Sequence, residues 1–488
     1  MLGDIIKKEI LDNLLSHKFL FIFILCSVLI LFSIYIGAVD YVESKKEYDA
    51  NMAALNERVQ PPYSLFGERM GFRIYRAPQI LRTVVAGVED AAGRVSYPNQ
   101  LYESNLTESK HESNTIFTFF GSLDLMFAVK FILSLCALFL AYDVVSGEKE
   151  SGTLKLTLSN SVSRTRLISG KIIGNYVSML SLFITPLLMS LIVLLFFPGI
   201  SLNGGDWMRL LFIFVMFLMY ISVFFALGIF VSSLTARAST SFLVLLFVWM
   251  AMVMFIPGAA VIVAEYVDPV PSSSLLAGQK GLFWTETNQQ VSTEFNQKYQ
   301  KEIMPRYQQR SMELQPLMKE NPERYNEEMA KLSDEADAEM SNLSAGMMQE
   351  INDRVEANNV QVNRDYQLKK DAQQNLAKNL SRISPASSLS FGSMALARTG
   401  VDEYDRFLAA TRAYRPIYRK WLNEVNLGGP QTGEYRQIDM NIIPRLPFTP
   451  ESLGESLAHT LPDFALMAFM TVIFLTGAYF AFMRYDVR

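Results

Sequence analysis

From Phe19 to Val39 the chain reads FLFIFILCSVLILFSIYIGAV, a run without Asp, Glu, Lys, Arg or His. Lipid offers no partner to a peptide N–H or C=O, so such a run crosses a bilayer only as a helix. About 20 residues in helix span a hydrocarbon core about 30 Å thick. Lys7 and Lys8 stand before it like the n-region of a signal peptide. The apolar run is longer than a signal's, and no Ala-x-Ala-like site follows, which predicts a retained anchor.

Runs of the same kind recur along the chain. They predict six transmembrane helices, at 18–38, 118–142, 172–197, 208–234, 239–264 and 461–483. The composition agrees: 50% of the 488 residues are hydrophobic and 19% charged, below the roughly 25% charged residues of soluble domains. Net charge is −4, so there is no global basic field to attract nucleic acid, and membrane lipid is the first expected partner.

Cys26 and Cys136 both lie in apolar runs, so disulfides and thiolate metal sites are not expected to hold the polar parts together. His17, His111 and His459 share no metal-ligand spacing. No catalytic triad, paired-carboxylate site or metal cluster stands out, and no catalysis is assigned to this chain.

Orientation follows from the short flanks. Lys7, Lys8 and Lys18 precede the first run, and Lys149, Lys155, Arg164, Arg166 and Lys171 join the second and third. Arg237 joins the fourth and fifth, Arg484 and Arg488 follow the sixth, and the turn at 198–207 has neither Lys nor Arg. The positive-inside rule then predicts two cytoplasmic termini in a multi-pass protein of the bacterial inner membrane, with a cytoplasmic segment at 143–171 and a tail at 484–488. Residues 39–117 and 265–460 fall on the extracytoplasmic side. Residues 1–17, with Leu2, Ile6, Ile10 and Leu14 at four-residue intervals, predict an amphipathic helix in the inner interface.

The 265–460 segment reads as a large, mainly helical domain. Asn321-Pro322-Glu323 is a helix start, with a capping Asn, a Pro at the first helical position and an acid at the positive end of the dipole. Tyr325, Met329, Leu332, Ala336, Met340, Leu343 and Met347 then recur with about 3.67 residues per turn, and the stripe continues through Ile351 and Val355. Such a stripe packs either on a neighbouring helix of its own domain or on another copy of the chain; its methionines read as gap-fillers before copper ligands. A bend or a break is expected at Ala357-Asn358-Asn359, and Leu376, Leu380 and Ile383 close a second helical stretch that Pro385 ends. Gly428, Gly429 and the prolines at 430, 444, 447 and 450 predict an extended arm back to the last span.

Between the second and third runs lies Asp143-Val-Val-Ser-Gly147-Glu148-Lys149-Glu150-Ser151-Gly152-Thr153-Leu154, which continues to Ser159, Ser163-Arg164 and Gly170-Lys171-Ile-Ile-Gly174. It is charged, punctuated by glycine and placed where a soluble partner can reach it. Gly147 and Gly152 have the spacing of a phosphate loop, but Thr-Leu stands where Lys-Ser/Thr is required and no strand precedes. This chain is therefore not expected to bind nucleotide.

These residues closely resemble the pattern of type-2 ATP-binding cassette permeases (the type V exporter fold), in which an acid ends the second span and a Gly-Glu-x-Glu-x-Gly-Thr-Leu run leads to a Ser-Arg turn and a Gly-Lys. The Lys8-Glu9 start, the C-terminal Arg484-Tyr485-Asp486-Val487-Arg488, and Arg76-Ala77-Pro78 followed by Gly87 are similar to the subgroup that includes nitrous-oxide-reductase maturation and gliding-motility permeases. The resemblance implies a dimer of permeases, identical or paralogous, bound to ATP-binding subunits that hold the ATP and Mg. It further implies that Asp143, Gly147, Glu148, Glu150, Gly152, Thr153, Ser163 and Arg164 form the coupling element. Glu148 and Glu150 would face the partner, and the two glycines would supply tight turns. The plainer reading is a solvated loop whose charges only set topology.

Asp124 and Lys130 fall inside the second run, where an ionisable group is a functional candidate by default. Six residues apart, they lie about 120° around a helix and do not read as a mutual pair. Either Lys130 snorkels and Asp124 sits at the interface, or Lys130 meets an anionic substrate group. Pro186 and Pro257-Gly258 mark expected kinks.

Three functions follow: export or extraction driven by a separate ATPase, ATP-driven mechanotransmission to an extracytoplasmic protein, and an ATP-independent scaffold or receptor.

Overall fold

The computed structural model describes residues 2–58, 73–89, 91–96, 106–107, 123–159, 163–425, 444 and 446–485. The start of the second apolar run, the Gly428–Pro430 arm and the tail from Asp486 lie outside the described residues.

The protein is a mainly α integral membrane protein. Among the described residues, six helices are long and apolar enough to cross a bilayer: His17–Ala54, Leu125–Glu150, Arg164–Leu195, Gly204–Leu234, Ala238–Val267 and Leu453–Met483, here spans one to six. The first helix runs on to Arg58, well past its charge-free stretch. Contact divides the chain into two compact units, Met1–Ala259 with Ser381–Arg488, and Ala260–Leu380.

Span four is the axis of the first unit. Its Phe217, Tyr220, Ile221 and Phe224 are fully buried. Side-chain loss at two glycines brings neighbours close: a Cβ on Gly228 would stand 2.4 Å from Ala141 Cβ, and one on Gly477 would stand 2.7 Å from the Phe230 ring. Spans five and six instead turn Leu243, Phe247, Val261, Phe469 and Val472 outward, as helices bathed in lipid do.

Span three carries Pro186 within an unbroken helix. Span five answers Pro257 with a π-turn at Ala251–Phe255, where the Ile256 N–H reaches back to Ala251 O. The wider turn absorbs the hydrogen bond that the proline cannot donate.

Helix α1 (Leu2–Leu14) lies on the first turns of span three. Gly170 and Gly174 permit the approach, because a Cβ at either would come within 2.6 Å of Ile5 or Glu9. Strands β1 (Ile74–Tyr75), β2 (Val95–Ser96) and β3 (Leu106–Thr107) form a small antiparallel meander in that order. The 3-10 turn at Ile80–Thr83 presses on Gly37 of span one.

The second unit is a helical hairpin. Helices α4 (Ser273–Lys298) and α5 (Met304–Leu314) run antiparallel to α6 (Pro322–Ser381). The bonds fix the register: Lys280 Nζ to Asn363 Oδ1, Arg306 to Glu339 at 2.8 Å and Arg310 to Glu335 at 2.6 Å. Residue numbers rise on one side as they fall on the other. Of the predicted stripe, Leu332 and Ile351 are buried and most of the rest are half-buried, so it packs on a helix of its own unit.

The break expected at 357–359 does not occur. Helix α6 runs unbroken for 60 residues, about 90 Å at 1.5 Å per residue. Asn lowers helix propensity by less than about 1 kcal/mol per residue, and neither Gly nor Pro is present to force a turn.

The 265–460 segment also divides where the sequence predicts one domain, because from Ser381 onward the chain rejoins the first unit. Helix α7 (Pro385–Ala397) buries ten of its thirteen residues against spans four and six. Helix α8 (Val401–Val425) follows. Arg76 donates to Arg398 O at 3.1 Å, and Gly87, at φ +61, fits against Thr399. Both residues of the first loop thereby dock on the turn after α7.

Candidate coupling site at the ends of the spans

The segment from Asp143 folds as two short helices, α2 (Ser146–Glu150) and α3 (Thr153–Ser159). Gly152, at φ +75, makes the corner between them, a conformation that glycine adopts without strain. Gly147 lies inside α2 and makes no such turn. Val145 and Leu154 pack with Leu167, Ile168 and Phe482 in a small separate core, which binds both short helices to spans three and six.

The polar side chains of this segment reach the ends of the spans one after another. Asp143 accepts both short bonds of Lys18, at 2.9 and 3.0 Å, so span two is tied to span one. The same ammonium lies 4.4 Å from the centre of the Tyr142 ring, a cation–π contact that adds to the pair.

Glu148 Oε1 accepts from Lys171 Nζ of span three at 2.6 Å. Lys171 also donates to Glu9 of α1 at 2.9 Å. Asn175 Nδ2 donates to the other oxygen of Glu9 at 3.0 Å, and Asn13 Nδ2 donates to Asn175 Oδ1 at 2.8 Å. The lysine is 3% exposed. One buried ammonium thus sits between two carboxylates from two different elements.

Lys149 donates to the carbonyls of Ser233 and Thr235 at the end of span four, the second at 3.1 Å. A cation at a helix C-terminus satisfies orphan carbonyls and opposes the dipole. Ser232 Oγ accepts from Val145 N and Ser146 N at 3.1 and 3.0 Å. Glu150 does the reverse, accepting from Ala238 N at 2.9 Å at the start of span five. Ser163 is the N-cap residue of span three. Arg164 donates to Met483 O and Tyr485 O at 3.1 and 2.9 Å, which closes the end of span six. Thr153 Oγ1 lies 2.9 Å from Ser151 Oγ across the corner.

All eight residues quoted from the sequence therefore meet in one region, but Glu148 and Glu150 are bonded within the chain. The sequence reading missed Glu9, Lys18, Asn175 and the double role of Lys171. The one available signal was the four-residue spacing of Gly170 and Gly174, which permits close helix packing.

Asp124 is the N-cap of span two. Its Oδ1 accepts from Phe127 N and its Oδ2 from Ala86 N, both at 2.8 Å, and it is buried. Lys130 lies in a π-turn at Ala128–Leu133 and does not pair with it. The Lys130 carbonyl accepts from Tyr220 Oη at 2.8 Å and Ser134 Oγ at 2.7 Å, and Ser134 Oγ accepts from Trp249 Nε1 at 2.9 Å.

Six apolar helices whose ends are gathered on one folded polar segment make a multi-pass membrane protein. Residues 4–487 match the family model described as ABC-2 family transporter protein, and the chain belongs to that family. It is a permease component of an ATP-binding cassette transporter, whose catalytic partner is the ATP-binding cassette subunit. No curated protein matches the chain.

Proposed function

We propose that this chain is the membrane half of an ATP-driven exporter, in which the 143–171 segment receives the stroke of the ATP-binding subunit and passes it to every span. One observation carries the reading: Lys18, Lys171, Lys149, Glu150 and Arg164 join that segment to the ends of spans one, three, four, five and six, and span two leads into it. A displacement of α2 acts directly on spans three, four and five through Glu148, Lys149 and Glu150, and the flanking Asp143 and Arg164 carry it to spans one and six.

The reading takes both termini as cytoplasmic, the membrane as the bacterial inner membrane and the working unit as a dimer of permeases. It assigns ATP and Mg to the partner. It places the chain in the subgroup with a large extracytoplasmic domain, akin to nitrous-oxide-reductase maturation and gliding-motility permeases. Because both acids are engaged internally, the partner is met by the outward face of α3, where Leu156 is 70% exposed beside the exposed Lys155.

The test is co-purification of the ATP-binding subunit with the Leu156→Asp chain. Loss of the subunit with an unchanged melting midpoint supports the reading. Full recovery with full ATPase activity overturns it.

A second reading, mechanotransmission to an extracytoplasmic protein, draws support from the length of α6 and its register-locked hairpin. Reconstituted vesicles that hydrolyse ATP but move no amphiphile across the bilayer favour it over export.

A further inference from the structure

We infer that Lys130 is the head-group contact for an anionic amphiphile, a phosphate or carboxylate carried on an apolar body. Four observations lead there. Lys130 stands six residues past the cap Asp124, about 9 Å into the span at 1.5 Å per residue, and an ammonium inside a span is retained only where it meets a counter-charge or a polar path.

Among the described residues its Nζ makes no hydrogen bond and no ion pair, and it lies 5.5 Å from the centre of the Phe131 ring. The neighbouring Asp124 lends it charge through space but no bond, because both Asp124 oxygens take backbone N–H groups.

The backbone at Lys130 is unusually well fixed. The π-turn exposes its carbonyl to two hydroxyl donors, Tyr220 from span four and Ser134 one turn on, and Trp249 of span five locks Ser134. Three spans thereby fix the backbone under a side chain that has no hydrogen-bond or ion-pair partner among the described residues. Turns of this kind recur at functional positions.

The surroundings fix the ligand's chemistry. Phe127 and Phe131 lie with ring centroids 4.8 Å apart beside the half-buried lysine, so the cation adjoins an apolar wall. A small inorganic anion gains the charge and not the wall, whereas an amphiphile gains both. That the amphiphile is cargo rests on the exporter reading; that it binds does not.

The experiment uses the full chain in zwitterionic nanodiscs, with Trp249 as the remaining tryptophan after Trp207→Phe, Trp284→Phe and Trp421→Phe. Quenching of Trp249 is titrated with three brominated probes: phosphatidylglycerol, phosphatidylcholine and a free fatty acid. One lysine near a membrane surface favours an anionic head group about fivefold.

A preference of about that size for either anionic probe supports the inference. Preference for the phosphatidylglycerol alone assigns a bilayer lipid, and preference for the fatty acid alone assigns a free amphiphile. Lys130→Met is expected to abolish the preference and Lys130→Arg to keep it. Equal quenching by all three probes, or an unchanged preference in Lys130→Met, overturns it. If binding persists while the ATP-driven complex moves neither probe, the exporter reading fails and the site stands.

Discussion

Lys171 Nζ lies 2.6 Å from Glu148 Oε1 and 2.9 Å from Glu9 Oε1, and the lysine side chain is 4% exposed. The coupling segment and the N-terminal helix thus share one cation. Removing it leaves two carboxylates facing each other in a poorly solvated place. Lys171→Met is therefore expected to cost about 3 kcal/mol, the usual penalty for stranding a buried charge. Adding Glu148→Gln and Glu9→Gln should recover part of that loss. Thermal unfolding in detergent measures it, and an unchanged midpoint for Lys171→Met would sink the idea that this pair holds α1.

Two glycines give opposite expectations. A Cβ on Gly228 meets Ala141 Cβ at 2.4 Å, whereas Gly258 has nothing within 4 Å. Gly228→Val forces spans two and four apart and should cost about 1–3 kcal/mol. Gly258→Ala should stabilise span five by about 0.5–1 kcal/mol, the helix-interior preference for alanine. Comparing both melts with the parent chain decides; a harmless Gly228→Val would mean that the helices separate at no cost.

The spans were legible because hydrocarbon imposes one solution, an apolar helix of fixed length, and its signature lies within each segment. Helix α7 was not. Its sequence from Pro385 to Ala397 holds four serines in thirteen residues, too short and too polar for a span. Ser390 and Ser393 conceal that polarity by donating to the carbonyls of Ala386 and Leu389 four residues back, so the helix is buried without orphan hydroxyls at those positions. The internal partners of the coupling acids were not legible for another reason. Their partners, Lys171 for Glu148 and the Ala238 N–H for Glu150, lie 23 and 88 residues away, and local pattern carries no record of such pairings.

The hairpin should respond to acid through Glu339. Hydrogen bonds from Tyr307 and then Arg306 hold its carboxyl below the usual value of 4.5. A carboxylate whose folded value is depressed contributes stability that is complete above the unfolded value and lost as pH falls through the folded one. Hydrogen exchange of peptides covering residues 300–345, corrected for intrinsic rate, should quicken as pH falls below about 4.5. Glu339→Gln should flatten that dependence while it raises exchange at neutral pH. An equal acid response in parent and variant would remove Glu339 from the explanation.

Arg382 Nε and Nη2 donate to the two oxygens of Asp463 at 2.9 and 3.2 Å, and the acid's side chain is 1% exposed. This pair joins the chain just before α7 to the first turns of span six. Arg382→Ala removes two charge-assisted bonds from a buried carboxylate and is expected to cost about 3 kcal/mol. Asp463→Asn keeps the shape, removes the charge that needs a partner and exposes only the arginine, which is 23% exposed and near water. Its cost should be smaller, nearer the about 1–3 kcal/mol of a lost hydrogen bond to a charged group. The order of the two melting midpoints is the measurement. If Asp463→Asn proves the more damaging, the arginine rather than the acid is the group that depends on the pair, and α7 is held to span six by packing around Gly392 and Met216 instead.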